Sequence, residues 1–279
     1  MEVLTLACNR PWLCRTKEGN LVPVPCGWCR QCRIDRREEW TMRLLSEVSV
    51  NDGSFVTLTY NDENCPRDFQ LNKRDLQLYL KRLRQNLARS RSSERKIKYY
   101  AVGEYGEIGS DHDYYNTGFG RPHFHLIISG LNPLKDAELI SSSWNLGFVK
   151  VLPAISSTIR YVLKYMDKQL VGRMAKEVYG DFQPPFCTMS NGIGRSFLET
   201  QSQTIDEVNG VYYKGRLVPP PRYYKKLMGV PTLSPSLDNY KIRKVLQYMD
   251  LHHVDYVAAL NSLGQINETE LASKDNLFH

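Results

Sequence analysis

Residues 120–130 read GRPHFHLIISG, an apolar run between glycines that carries histidines at alternate positions. On a strand, side chains at i and i+2 share a face, so His123 and His125 point one way while Phe124, Leu126 and Ile128 point the other. The run has a chemical side and a packing side. Two neutral imidazoles held side by side are natural metal ligands that need a third donor; without one they are two half-buried histidines bonded to their neighbours.

The elements around this run define a fold. Upstream, KIKYYAVGE (96–104) reads as a strand, and the polar, glycine-containing segment after it as a long hairpin loop. GSFVTLTY (53–60), rich in β-branched and aromatic residues after a turn, is an earlier strand. Between the two, NKRDLQLYLKRLRQNLARS (72–90) offers Asn72 as N-cap with Asp75 three residues on. It then places Leu76, Leu80, Leu83 and Leu87 at helical spacing, with a basic outer face. Downstream, NPLKDAELISSSW (132–144) starts a helix with Asn132 ahead of Pro133, GFVKVLP (147–153) is a strand, and ISSTIRYVLKYMDKQL (155–170) is a final helix. The series β-α-β-β-α-β plus a helix is the ferredoxin-like order of an α+β protein, with an antiparallel sheet in strand order 4-1-3-2. The histidine strand then lies centrally, between FVTLTY and the strand ending in Glu104. Both main helices are expected on one sheet face, leaving the other for a site.

Glu104 ends its strand close to where His123 begins the next, on the face that carries Tyr100 and Val102. A register that turns this face toward the histidines completes a His-His-carboxylate cluster; Glu107 is the alternative carboxylate. Two imidazoles and one carboxylate, with positions left for water or phosphate, suit Mg²⁺ or Mn²⁺. In the last helix, at about 100° per residue, Ile155, Ile159, Val162, Leu163, Met166 and Leu170 share one sector and form a core stripe. Tyr161, Lys164, Tyr165 and Lys168 share another, so two phenols and two ammonium groups occupy one exposed face. A phenol has a pKa near 10, about one in a thousand being ionised at neutral pH, so it attacks phosphorus only with help from neighbouring cations. Phenolate is in turn a good leaving group, which makes a phosphotyrosine link reversible.

The chain has 279 residues, 42% of them hydrophobic, enough for a sizeable core. Lys and Arg exceed Asp and Glu by seven and the pI is about 9.0, which favours an anionic partner such as nucleic acid. No apolar run approaches the ~20 residues of a membrane span, and MEVLTLACNRPW lacks the features of a secretory signal, so a cytoplasmic protein is expected. The seven cysteines then read as thiols or metal ligands. In CGWCRQCRIDRREEWTMRLLSEV (26–48), a cysteine turn leads into a long basic helix whose Arg30, Arg33, Arg36, Arg37 and Arg43 could hold a phosphate backbone. Cys26 and Cys29 have metal-knuckle spacing with Cys32 three further on, and a structural Zn²⁺ there requires Cys8 or Cys14 to fold back as a fourth ligand. Otherwise the motif is a glycine turn with buried thiols. LVPPPRYYKK (217–226) reads as extended, with Tyr223, Tyr224, Lys225 and Lys226 mixing stacking and charge as single-stranded nucleic acid sites do. DNYKIRKVLQYMDLHHVDYVAAL (238–260) reads as a C-terminal helix. With no repeat and no clear linker, a single domain over 1–279 is expected: an N-terminal Cys motif and basic helix at 1–50, a core at 53–170 and an extension at 171–279.

RPHFHLII, with YVLKYMDK downstream and FVTLTYND upstream, resembles the three motifs of the His-hydrophobic-His (HUH) endonucleases that initiate rolling-circle replication. The Tyr-x-x-x-Tyr form is similar to the replication initiators of microviruses, and VPCGWCRQCRIDRREEW and PPRYYKK to their gokushovirus branch. The resemblance implies nicking of one DNA strand at an origin, with the 5′ end kept on tyrosine and a 3′ hydroxyl freed. It implies His123 and His125 as the metal pair for Mg²⁺ or Mn²⁺, Glu104 as third ligand, Tyr161 and Tyr165 as nucleophiles, and Lys164 and Lys168 as supports for phenolate or phosphate. Thr57 and Thr59 alternate onto one strand face and either line the site or serve the structure. The implied partner is single-stranded DNA at the origin, with host polymerase and helicase as further candidates, in the cytoplasm of a bacterial host. Two other readings share parts of the pattern: a transposase or relaxase of the same chemistry, and a non-catalytic basic nucleic-acid-binding protein.

Overall fold

The computed structural model describes residues 8, 12–15, 19, 21–90, 95–106, 119–168, 172–208, 210–213, 216–218, 220–229, 247–255, 258–259 and 262. In chain order the elements are β1 (Trp12–Arg15), β2 (Leu21–Val24), α1 (Arg30–Val50), β3 (Gly53–Tyr60), α2 (Lys73–Arg89), β4 (Lys98–Tyr105), β5 (Pro122–Ser129) and α3 (Ala137–Ser142). There follow β6 (Gly147–Pro153), α4 (Ser156–Lys168), α5 (Gly172–Tyr179), β7 (Phe186–Met189), α6 (Arg195–Val208), β8 (Val211–Tyr213), β9 (Arg216–Val218) and α7 (Arg222–Met228). The chain divides into two compact units, Trp40–Ser202 on one hand and Met1–Glu39 with Gln203–His279 on the other.

The first unit is built on a five-stranded sheet in the order β6-β3-β5-β4-β7, antiparallel at every pairing. Its first four strands have the ferredoxin-like order expected from the sequence, and the fold is α+β. β7, a short strand on the outer edge of β4, was not expected, because four residues in a glycine- and proline-rich stretch carry no readable period.

Strand alternation gives the sheet two apolar faces. On one, Val56, Leu58, Tyr60, Ala101, Phe124, Leu126 and Ile128 pack against Leu76, Tyr79, Leu80, Leu83 and Leu87 of α2, with Ile140 and Trp144 alongside. The Asn72 side chain caps α2 by accepting from the Arg74 amide at 2.9 Å, and Asp75 in its first turn accepts from the Tyr60 hydroxyl at 2.8 Å. α3 is shorter than expected. The Asn132 side chain accepts from the amides of Leu134 and Lys135 and spends that segment on a turn, so the helix starts only at Ala137.

The opposite face is not left free, contrary to the sequence-based expectation. Phe55, Tyr100, Val102 and Ile127 make it apolar, and it is covered by Leu44 of α1 and by Ile159, Val162, Leu163 and Met166 of α4. The buried Glu47 carboxylate fastens α1 to this layer, accepting from Lys98 Nζ at 2.9 Å, the Ser129 hydroxyl at 3.2 Å and the Gly194 amide at 2.6 Å. Arg43, expected as a phosphate contact, is engaged in packing: its guanidinium donates to the Ile193 carbonyl at 3.2 and 3.1 Å and lies over the Trp40 ring.

In the second unit, β1 and β2 form an antiparallel hairpin, as do β8 and β9. The RYYKK segment is helical and not extended: α7 follows Pro221 and ends at Gly229, whose φ of +68° suits a residue without a Cβ. Tyr224 and Lys225 are buried there, leaving Tyr223 half-buried and Lys226 exposed, so the four cannot act together as a stacking patch. Proline fixes a backbone angle compatible with a helix start, which is why a proline run can read as extended and still precede a helix. Of the expected C-terminal helix, residues 238–246 lie outside the described residues; 247–252 are helical, and a turn follows at His253 with φ +51°. No helix among the described residues is long and apolar enough to cross a membrane.

Candidate active site

Cross-strand pairing assembles the site rung by rung. Thr59, His123 and Glu104 stand opposite one another on β3, β5 and β4, and Thr57, His125 and Val102 form the next rung. Residues paired across an antiparallel sheet project to the same side, so both rungs present their side chains on one face. Glu104 Oε1 lies 3.0 Å from His123 Nε2 and 3.1 Å from His125 Nε2, and the three donor atoms all fall within 4.8 Å of one another. Glu107 lies outside the described residues.

Both rings are anchored at the far nitrogen. His123 Nδ1 donates to the Arg121 carbonyl at 3.0 Å, and His125 Nδ1 is 3.0 Å from the Thr57 hydroxyl. Each Nε2 is thereby aimed at the carboxylate, which is how imidazole ligands are oriented in metal sites. Burial pushes the Glu104 carboxyl up, but hydrogen bonds from His123 and His125 outweigh it and hold the group below the usual carboxylate range. Burial pushes the His125 ring down, only partly countered by Glu104, which favours the neutral ligand form. A divalent cation would stand where the ring protons now meet the carboxylate, and the donor set fits one.

α4 brings its tyrosines over this cluster. Ile159, Val162, Leu163 and Met166 are buried as the expected stripe, and their helical phase turns Tyr161 and Tyr165 toward the histidines. Ile155, expected in the same stripe, is instead 54% exposed. It precedes the helix, its amide donating to the Thr158 hydroxyl at 2.9 Å, and so does not follow the helical phase. Tyr161 Oη is 3.4 Å from His125 Nε2, and Tyr165 Oη donates to Tyr161 Oη at 2.8 Å. The His125 ring stacks with Phe55 and with Tyr165, each at 5.7 Å between centroids, and meets Tyr161 edge-on at 5.1 Å. Burial raises the Tyr165 pKa, and its bonds to Tyr161 and Glu104 raise it further. Tyr161 is the more open of the two, 42% exposed.

Lys164 is exposed on α4 and takes no part in the described hydrogen bonds of the cluster. The Lys168 side chain and Leu170 lie outside the described residues. Two contributions were missed from sequence. Phe55 stacks on His125, and alternation with Thr57 placed it on that face in advance. On the edge strand β6, Phe148 pairs with Thr59 and Lys150 with Thr57, so both rungs extend outward to an exposed aromatic ring and an exposed ammonium group.

The sulfurs of Cys8, Cys26, Cys29 and Cys32 form a second group, all within 4.8 Å of one another. Cys14 is exposed in β1 and does not join them.

A ferredoxin-like sheet with a His-x-His strand, a facing carboxylate and a tyrosine-bearing helix has the architecture of the HUH class. Residues 53–170 match the family described as replication-associated protein ORF2. The chain is 29% identical over 229 residues to replication-associated protein VP4 of Bdellovibrio phage phiMH2K, covering 75% of this chain and 69% of that protein. It is 29% identical over 212 residues to replication-associated protein ORF2 of Spiroplasma virus 4, covering 66% and 60%, and 24% identical over 226 residues to replication-associated protein ORF4 of Chlamydia phage 1, covering 74% and 53%. The chain thus spans between about half and about two thirds of the length of these relatives. No solved structure shows significant similarity to the chain. The chain belongs to the phage replication-associated proteins of the microvirus type.

Proposed function

We propose that this protein nicks and rejoins single-stranded DNA at a viral replication origin through a 5′-phosphotyrosine intermediate, and so starts rolling-circle replication. The observation that carries the reading is the convergence of two phenolic oxygens on the Glu104, His123 and His125 cluster. The phage proteins that it resembles are named for replication, and the formal charge of +7 suits a polyanionic substrate.

In the proposed step the phenolic oxygen of Tyr161 bonds to the scissile phosphorus as the bond to the 3′ oxygen breaks; the phenol gives up its proton and the 3′ oxygen gains one. Glu104, His123 and His125 would hold Mg²⁺ or Mn²⁺, which supplies positive charge to the non-bridging phosphate oxygens. The Tyr165 hydroxyl, donating to Tyr161 Oη, supports the charge that develops there. Lys164 and Lys168 would balance phosphate charge nearby. Phe148 and Lys150 offer a base a face to stack on and a phosphate a counter-charge at the outer end of the same rungs. While one tyrosine holds the 5′ end, the other can cut the regenerated origin and resolve the first link. The freed 3′ hydroxyl would be extended by the polymerase of the bacterial host, with a host helicase opening the duplex.

The test is an SDS-resistant protein–DNA adduct formed with origin-containing single-stranded DNA and Mn²⁺ or Mg²⁺. The adduct is expected to disappear with chelator and in the double variant Tyr161→Phe, Tyr165→Phe. Its persistence in that variant would remove the nucleophiles, and adduct formation without metal would remove the role given to Glu104, His123 and His125.

A further inference from the structure

We infer that Cys8, Cys26, Cys29 and Cys32 bind one Zn²⁺ in a closed, purely structural tetrathiolate site. Four sulfurs at ~2.3 Å from a tetrahedral zinc must lie about 3.8 Å from one another. Here Cys8 Sγ and Cys29 Sγ are 3.8 Å apart, Cys26 Sγ and Cys32 Sγ are 4.0 Å apart, and no pair exceeds 4.8 Å.

The surrounding backbone is arranged for thiolates. Cys26 Sγ accepts from the amides of Trp28 at 3.4 Å and Cys29 at 3.3 Å, Cys29 Sγ from the Cys32 amide at 3.5 Å, and Cys8 Sγ from the Cys26 amide at 3.3 Å. Gly27, at φ +80°, permits the tight turn that points these amides at sulfur. Thiols gain little from several N–H donors, whereas thiolates are stabilised by them. Bringing four thiolates together without a cation would be opposed by their mutual repulsion.

The ligand type selects the ion. Four soft sulfur donors suit Zn²⁺ and disfavour the Mg²⁺ or Mn²⁺ that an oxygen and nitrogen site accepts. On binding, four S–H bonds break, four Zn–S bonds form and four protons leave to solvent, with no change of oxidation state. Because the protein fills every position, none remains for a substrate, so the role is to staple. Cys8 precedes the β1–β2 hairpin, Cys26 follows it, and Cys32 lies in the first turn of α1, so one ion closes the base of the hairpin and fixes the helix start. An iron–sulfur cubane would spread the four cysteine sulfurs around a larger core than this spacing allows.

Elemental analysis of the full chain, purified without added metal and dialysed against EDTA, is expected to find one zinc per chain. Glu104→Ala with His123→Ala and His125→Ala should retain it, Cys14→Ser should retain it, and Cys8→Ser should lose most of it. Since Cys8→Ser could act through misfolding, Co²⁺ is exchanged into the unaltered chain: a tetrahedral site predicts intense visible bands and sulfur-to-cobalt charge transfer. Zinc at background level, zinc lost with the histidine and glutamate variants, cobalt spectra without sulfur charge transfer, or iron with acid-labile sulfide would each overturn the assignment. The nicking test is independent, since adduct formation reads the tyrosines and not the sulfurs.

Discussion

Single side chains set the orientation of the candidate metal ligands. The Thr57 hydroxyl is the one described partner at His125 Nδ1, so Thr57→Val removes a support without touching the ligating nitrogen. Such outer partners typically contribute 10–100-fold to metal affinity, and a loss of about that size is expected in Mn²⁺ titrations while the melting temperature changes little. Unchanged affinity would reduce Thr57 to a packing role. The two tyrosines are also unequal: Tyr161 is more exposed and receives the hydrogen bond from Tyr165. Tyr161→Phe is therefore expected to remove most first-cut adduct, and Tyr165→Phe to spare the first cut while blocking transfer to a second strand; the opposite pattern would exchange their roles. Away from the site, Asp136 accepts paired bonds from Arg95 at 2.9 and 3.0 Å. Burial pushes its carboxyl up, but Arg95 and the Asn132 amide outweigh this and hold it low. The stability this contributes is present above the unfolded value of about 3.9 and is lost as pH falls through the lower folded value. Urea melts of Asp136→Asn should accordingly show a flatter dependence across that acidic window than the parent chain.

At the scale of elements, the edge strand β6 and helix α4 position what the central strands display. Gly147 starts β6 at φ +154°, and a Cβ there would lie 2.2 Å from the Thr59 carbonyl oxygen and 2.3 Å from the Asn61 nitrogen. Backbone atoms of β3 cannot yield as a flexible side chain does, so Gly147→Ala should cost at least the roughly 1–3 kcal/mol of a strained conformation. Chemical denaturation checks this, and a neutral result would show that β6 can shift away from β3. α4 depends on its buried stripe. Leu163→Ala is expected to destabilise by about 2–5 kcal/mol. Helices reveal their stripe well because burial and period coincide in one element, and α2 and α4 were readable for that reason. Ile155 and the start of α3 were misread where a side-chain hydrogen bond displaced the helix boundary. β7 escaped notice because a short edge strand needs only an unpaired neighbour.

Over the whole molecule, the excess of seven positive charges acts on a polyanion collectively. Affinity for non-specific single-stranded DNA is expected to fall linearly on a log–log plot against salt, with a slope of about −0.7 for each phosphate neutralised. A flat salt response in filter binding would contradict a phosphate-tracking surface. The composition gave the sign of this field and the order of elements gave the ferredoxin-like sheet, because alternation and helical period are local properties of the chain. The sequence also singled out His123, His125, Glu104, Tyr161 and Tyr165, since each lies in a motif short enough to read along one element. Which carboxylate oxygen faces which ring, that Phe55 and Tyr165 stack on His125, and that Cys8 and not Cys14 completes the sulfur group were decided only in three dimensions. Those relations join residues far apart in the chain, and strand register and helix packing, which no local pattern encodes, determine which of them meet.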